Sequence, residues 1–456
     1  MVKNYILDTN ILISSPNAIY GFEDNNVIIT GTTLQELDKL KTAPGETGYN
    51  ARESIRNIEK IMTDNNADSS NIFILDNGGR LILEPDGIDP TNIPNGYDIN
   101  VPDNRIISTV KTLMSINSKD TYILVTNDVS MRVNARVCDV NVESYKNDHL
   151  LSEEKYTGKT IIEIPYSIIN SIYAEKIYDI SLIKDKDLSE IFNSLFENEF
   201  ITLKSGTATV LTIHKTVAGK KCLCKIPDEI TPYGITPKNT SQRFALTALM
   251  APVDEIPLVI LSGAAGTAKT FLSLAAGLDQ TNAGVYNKVL ISRNNITLDD
   301  DFGYLPGEME DKMRPLLAPF YDNLESLIRG KNSDESNENI QMQIDDYFAT
   351  GTVAVCPLAY MRGRSITGSF LIVDEAQNAS RSQMRDIITR VGKGTKLVIC
   401  GDPTQIDNPK LDKCNNGLIY AAEMMKGSPK CAQIMFNASD SVRSSLATEA
   451  LKRLKI

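Results

Sequence analysis

Short apolar runs alternate with amphipathic stretches along most of the chain. Tyr5-Ile6-Leu7, Val27-Ile28-Ile29 and Tyr122-Ile123-Leu124-Val125 read as buried strands. Between them Leu34, Leu37 and Leu40 fall at helical spacing, as do Ile55, Ile58 and Met62, and then Ile106, Val110 and Leu113. This alternation predicts a parallel sheet covered on both faces. Asp86 to Pro102, rich in Asp, Asn, Gly and Pro, predicts a loop. From about 150 to 235 the pattern changes to short β-leaning segments separated by turn residues: Thr160 to Ile164, Thr207 to Leu211 and Cys222 to Ile226. From about 236 the α/β alternation returns, with strand candidates at Leu258 to Leu261, Val289 to Ile291, Val353 to Val355, Phe370 to Val373 and Lys396 to Ile399. Gly330 to Asn339 has no apolar residue and predicts a mobile insertion. The fold class expected is α/β, with an N-terminal parallel-sheet domain over 1–147, a small β-rich connector over 148–235 and a second α/β domain over 236–456.

The 456 residues, 42% hydrophobic and 23% charged, fit a multidomain globular chain and exclude a disordered or collagen-like one. No apolar run approaches the ~20 residues of a membrane span, and the start of the chain does not read as a signal peptide. Seven cysteines without a Cys-x-x-Cys pair argue against a disulfide framework and a structural zinc site, and favour a reducing cytoplasm. The two histidines, His149 and His214, read as structural. Hydrolytic chemistry is therefore expected to rest on carboxylates and metal ions. The net charge of −11 argues against a protein that coats nucleic acid, yet leaves room for a nucleic-acid enzyme with a locally basic groove.

Gly263-Ala264-Ala265-Gly266-Thr267-Ala268-Lys269-Thr270 follows a predicted strand and opens a predicted helix, the context a P-loop requires. Backbone N–H groups there cradle nucleotide phosphates, with Lys269 placed for the β/γ oxygens and Thr270 for Mg²⁺. Ala268 stands where a glycine is expected. Its methyl raises the question of crowding, which the adjacent Gly266 and the intact Lys-Thr pair offset. The bland alternative is a glycine-rich turn that binds nothing. Phe370-Leu371-Ile372-Val373-Asp374-Glu375-Ala376-Gln377 weighs against it, because an apolar strand ending in two carboxylates suits a Walker B element. Asp374 would hold Mg²⁺ and Glu375 would polarise the attacking water. Gly401-Asp402-Pro403-Thr404-Gln405 ends a further strand, making Gln405 a candidate γ-phosphate sensor, or simply part of an Asp-Pro turn.

Together these residues resemble the PhoH family of ATPases, whose core is similar to that of superfamily 1 helicases. The resemblance covers 236–456 and includes Asp-Glu-Ala-Gln-Asn at 374–378, Gly-Asp-Pro-Thr-Gln at 401–405, Arg362-Gly363-Arg364, Leu305-Pro306-Gly307, Lys312 and the Asn239/Gln242 pair. It implies a RecA-like P-loop NTPase with Gln242 near the adenine, Arg293 and Arg364 near phosphate or nucleic acid, and Arg443 as an arginine finger from a neighbouring subunit. The family usually follows the arginine at 293 with proline; here Asn294 follows.

Asp8-Thr9-Asn10 comes directly after the first predicted strand, and Asn127-Asp128 follows the strand that ends at Val125-Thr126. Asp103 begins a predicted helix and Glu36 lies on the first one. Residues leaving the carboxyl ends of parallel strands gather in one crevice, where clustered carboxylates repel unless cations neutralise them. Such oxygen donors favour Mg²⁺ or Mn²⁺, and two ions can activate water and stabilise the leaving 3′ oxygen of a phosphodiester. On the competing reading Asp103 caps its helix and Glu36 faces solvent. Spacing alone does not decide between them.

Residues 1–147 resemble a PIN-domain ribonuclease, which implies metal ligation and catalysis by Asp8, Glu36, Asp103 and Asp128, with Thr126 as the hydroxyl beside the metal. Asp38 and Asp98 are rival acids of lower rank. Leu34 to Leu40 and Gly48 to Arg52 are similar to the PIN domain fused to PhoH-like ATPases, and Tyr156-Thr157-Gly158 to the linking region of such fusions.

Arg381, Arg385, Arg390, Lys393 and Lys396 form a basic stretch that suits an RNA backbone or, more commonly, a solvated helix face. Arg443 to Lys455 has the apolar spacing of a helix packed on the core. The expected function is an ATP-dependent RNA helicase or translocase coupled to a metal-dependent endoribonuclease cutting single-stranded or overhang-bearing RNA. The expected cofactors are ATP with Mg²⁺, and Mg²⁺ or Mn²⁺ in the nuclease site. The resemblance implies a homo-hexamer. The rival is an ATP-driven RNA remodeller with an inactive or regulatory PIN domain. A small-molecule P-loop kinase is disfavoured by the Asp-Glu-Ala-Gln and Gly-Asp-Pro-Thr-Gln elements, and a DNA substrate stays open.

Overall fold

The computed structural model describes residues 2–43, 45–65, 71–75, 77–87, 89–94, 96–145, 156–293, 309–331, 336–356, 365–408, 411 and 416–441. The chain forms two compact units that divide near residue 153.

In the first unit six strands, β1 (Lys3–Leu7), β2 (Asn26–Thr30), β3 (Ile72–Ile74), β4 (Arg80–Glu84), β5 (Thr121–Val125) and β6 (Val142–Glu143), lie in the order β3-β4-β2-β1-β5-β6. All neighbours are parallel except β3 and β4. Leu7, Val27, Ile29 and Val125 face helices Thr9–Ser14 and Gly45–Asp64; Ile6, Ile28, Tyr122 and Leu124 face helices Pro102–Ile116 and Val129–Val137. The near-continuous apolar runs noted in the sequence are thus strands buried on both faces.

The second unit holds two sheets. β7 (Lys159–Glu163), β8 (Ile177–Asp179), β9 (Phe200–Ser205), β10 (Ala208–Val217) and β11 (Lys220–Lys225) form a mainly antiparallel sheet in the order β7-β9-β10-β11-β8, with helices Tyr166–Glu175 and Lys186–Ser194. β12 (Leu258–Gly263), β13 (Lys288–Arg293), β14 (Val353–Val355), β15 (Ser369–Asp374), β16 (Lys396–Gly401) and β17 (Cys431–Phe436) form a wholly parallel sheet in the order β14-β13-β15-β16-β12-β17.

The small sheet is docked on the larger one. Gly158, at φ +71°, is pressed so close that an added Cβ would lie 1.7 Å from the Gln433 carbonyl oxygen on β17, and Met435 N donates to Thr157 O. Lys159 pairs with Asp440 at 3.1 Å, both largely shielded. Asn198 donates to the carbonyls of Pro429 and Cys431.

Three expectations change. The polar run at 330–339 is not one mobile insertion in its described parts: Gly330 and Lys331 end helix Met309–Lys331, and Ser336 caps helix Asn337–Ala349, which buries Ile340 and Ile344. Lys396 leaves the basic stretch, because it lies fully buried on β16 and donates to the carbonyls of Ala248, Leu249 and Ala251 at the end of helix Thr240–Met250. The loop from Asp86 contains a 3-10 turn at Pro90–Asn92 and gives way to a helix at Pro102. His214 is buried, with Nδ1 against Phe196 O. Among the described residues Cys138, Cys222, Cys224, Cys400 and Cys431 form no disulfide. Among the described residues no helix is long and apolar enough to cross a membrane. His149, Asn294, Leu305 to Gly307, Arg362 to Arg364 and Arg443 to Lys455 lie outside the described residues, as does the side chain of Lys312.

Candidate active sites

In the first unit β1 and β5 are adjacent, so Asp8 and Thr126, which follow them, emerge side by side. The Thr126 hydroxyl donates to Asp8 Oδ2 at 2.6 Å, and Asn10 Nδ2 donates to the same oxygen at 2.6 Å. Asp8 Oδ1 accepts the Thr9 N–H. The Thr9 hydroxyl donates to Glu36 Oε2 at 2.6 Å, tying the first strand end to helix Gly31–Leu40. Asp128 caps helix Val129–Val137 through the N–H groups of Ser130 and Met131. Asp103 sits in the first turn of helix Pro102–Ile116, but Val101 holds the cap position without a side-chain bond, so capping does not account for Asp103. Glu36 is half-buried rather than turned to solvent.

The four acids feel one another. Burial raises the Asp8 carboxyl to about 6, and the charges of Asp103 and Glu36 add to the shift, against the bonds from Thr126 and Thr9. Asp103 is raised by burial and then by Asp128 and Glu36. The described ion pairs of this unit are Lys41–Asp38, Arg56–Glu53 and Arg105–Asp86, and none engages the four. Asp38 is spent on Lys41, and Asp98 bonds the N–H of Asn100 on the surface. Among the described residues no three acidic, histidine or cysteine side chains are close enough to grip a single ion as they stand. The donor set and the unneutralised burial of Asp8 still fit hard divalent cations, which would remove the repulsion.

In the second unit the loop after β12 turns into helix Lys269–Asn282. Ala268 adopts φ 69°, ψ 22°, the left-handed conformation that explains why a glycine is expected there. A cavity of about 250 Å³ is lined by Ala265, Gly266, Ala268, Lys269, Thr270, Phe271, Asn323, Asp374, Glu375, Gly401, Asp402 and Gln405. Gly263, Ala264 and Thr267 stand behind it: Lys269 Nζ donates to the carbonyls of Gly263 at 2.7 Å and Ala264 at 3.0 Å, and the Thr267 hydroxyl donates to Ala264 O. Burial lowers the Lys269 pKa. Thr270 Oγ1 donates to Asp374 Oδ1 at 3.0 Å. Burial raises Asp374 to about 6, with Glu375 adding to the shift and Thr270 and Arg293 opposing it. A hydroxyl beside a buried, electrostatically strained carboxylate is a fitting seat for Mg²⁺.

Glu375 is held at both oxygens, by Arg293 Nη2 at 3.2 Å and by Gln377 Nε2 at 2.6 Å. Gln377 also donates to Gln405 O and accepts the Asp402 N–H, and Asp402 Oδ2 accepts the Ala265 N–H at 3.0 Å. Strand ends β12, β15 and β16 are thereby cross-braced. Gln377 and Asp402 belong to the two motifs, and only the folded strand order shows that they knit the site. Asn323 and Phe271 carry no motif signal. Gln242 does not line this cavity: it is buried, and its side chain accepts the Lys238 N–H. Arg364 and Arg443 lie outside the described residues.

A family model described as PhoH-like protein matches residues 234–455, and one described as PIN domain matches residues 5–146. The chain is 37% identical over 440 residues to Protein PhoH2 of Bacillus subtilis (strain 168), covering 94% of this chain and 95% of that protein. It is 28% identical over 456 residues to Protein PhoH2 of Mycolicibacterium smegmatis, covering 99% and 98%. A PhoH-like protein of Bacillus subtilis (strain 168) is 31% identical over 276 residues, covering 60% of this chain and 73% of that protein.

Proposed function

The chain belongs to the PhoH2 family, with a PIN domain ahead of a PhoH-like domain, and on that premise we propose that it hydrolyses ATP to move along or unwind RNA and cuts single-stranded RNA in its first unit. One observation carries this reading. Each unit holds a buried carboxylate, Asp8 in one and Asp374 in the other, pushed up to about 6 by burial and by neighbouring acids, as in a site that a cation is meant to neutralise.

In the ATPase, Lys269 would turn from its loop carbonyls to the β/γ-phosphate oxygens, Thr270 and Asp374 would hold Mg²⁺, and Glu375, held here by Arg293 and Gln377, would orient the attacking water. Gln405 lines the same cavity and would sense the γ-phosphate, and Arg443 would be supplied by a neighbouring copy of a hexamer, as the family resemblance implies. In the nuclease, Asp8, Glu36, Asp103 and Asp128 would hold Mg²⁺ or Mn²⁺, while Thr126 and Asn10 fix the Asp8 carboxylate. When bound, such ions supply an activated water and charge stabilisation for the leaving oxygen.

Lys269→Ala tests the ATPase: hydrolysis is lost, and retention of full turnover would refute the P-loop assignment. Asp8→Asn tests the nuclease: cleavage is lost while ATP hydrolysis persists, and full cleavage would refute the acid assignment. The alternative, a remodeller with a silent PIN domain, predicts no Mn²⁺ binding at the four acids.

A further inference from the structure

Asp86 follows β4 at the start of the segment that the sequence marks as a loop, and it is not one of the four clustered acids. Its side chain is only 8% exposed. One oxygen accepts the Thr32 N–H at 3.0 Å; the other accepts the Thr32 hydroxyl at 2.7 Å and Arg105 Nη2 at 3.1 Å. Thr32 lies in the first turn of helix Gly31–Leu40, one turn before Glu36, and Arg105 lies two residues after Asp103 on helix Pro102–Ile116. One carboxylate therefore fastens together the starts of the two helices that deliver Glu36 and Asp103.

The placement is favourable on several counts. A carboxylate at a helix N-terminus meets unpaired N–H groups and the positive end of the helix dipole. Its bond to a guanidinium is charge-assisted. Arg105 Nε is buried without a hydrogen-bond partner, so the guanidinium depends on Asp86 for its anchoring.

We propose that Asp86 is a positioning residue of the nuclease site, setting the separation of Glu36 and Asp103 through Thr32 and Arg105. The proposal rests on the nuclease reading above. Groups that orient ligands from behind typically govern affinity or activity by roughly 10- to 100-fold.

The test uses the full chain with Asp86→Asn, Thr32→Val and Arg105→Met, alongside Asp8→Asn. Mn²⁺ affinity is measured by calorimetry, kcat and KM on single-stranded RNA, amide exchange at residues 31–36 and 103–107, and ATP turnover as a control on folding. Asp86→Asn is expected to weaken Mn²⁺ binding and lower kcat by roughly 10-fold, with KM unchanged, faster exchange at both helix starts and normal ATP turnover. Thr32→Val and Arg105→Met are expected to lower kcat in the same way. Asp86→Glu is expected to recover part of the lost kcat. An unsubstituted chain that binds Mn²⁺ and an Asp86→Asn chain that matches it in affinity and kcat would overturn the role of Asp86 alone. An unsubstituted chain that binds no more Mn²⁺ than Asp8→Asn would overturn the nuclease reading and the role of Asp86 with it.

Discussion

The Thr270 hydroxyl donates to the Asp374 carboxylate across 3.0 Å, joining the first turn of the P-loop helix to the end of a strand that lies two places away in the sheet. The sequence separates these residues widely; the parallel sheet brings them together because β16 alone stands between β12 and β15.

Glu375→Gln should separate binding from hydrolysis. The amide keeps the shape of the carboxylate and can accept from only one of Arg293 and Gln377, but it cannot polarise water, so ATP turnover should fall by about 100-fold or more while nucleotide affinity stays within a few-fold. Equilibrium binding of a fluorescent ATP analogue and a phosphate-release assay on the same preparation check this. A similar loss in both would assign Glu375 to binding instead.

Ala268→Gly should raise the melting temperature of the second unit. A left-handed alanine costs roughly 1 kcal/mol or more, and the greater freedom of glycine in the unfolded chain returns only part of that. Calorimetry should show a net gain of up to about 1 kcal/mol, and Ala268→Val a loss. A lower melting temperature for the glycine variant would contradict the geometry at φ 69°.

Stability without metal should depend on pH through Asp8. Its folded-state pKa of about 6 lies above the ordinary 3.8. The folded chain therefore holds a proton that the unfolded chain has released between those values, and stability falls as pH rises through that window. The loss attributable to Asp8 is about 3 kcal/mol. Asp8→Asn should flatten this part of the profile measured in a chelator, and Mn²⁺ should restore stability to the unsubstituted chain but not to the variant. Superimposable profiles would contradict the burial argument.

Gly158→Ala should undo the docking of the small sheet. The new methyl would meet the Gln433 carbonyl in a backbone already at positive φ, and either β17 or the linking segment must shift, at a cost of about 2 kcal/mol or more. Thermal unfolding of the second unit reports the loss; an unchanged midpoint would show that the segment adjusts freely.

The central strands were legible in the sequence because their apolar runs are buried on both faces. The edges were not. β3 buries only Phe73, and β17 interrupts its apolar run with Gln433. Asp8 and Asp128 stand out directly after strands, whereas Glu36 lies on a helix and could be picked out only by resemblance. Lys396 reads as a surface charge until the fold places three carbonyls around its ammonium. Asp86 carries no motif at all, since its partners Thr32 and Arg105 come from different helices.

The most direct test of the central claim is an end-labelled RNA duplex with a single-stranded overhang, incubated with Mg²⁺ in the presence and absence of ATP and run on native and denaturing gels. The account predicts metal-dependent shortening of the overhang that extends into the duplex only with ATP. Strands that separate with ATP yet stay full length would contradict the coupled nuclease and leave a motor alone.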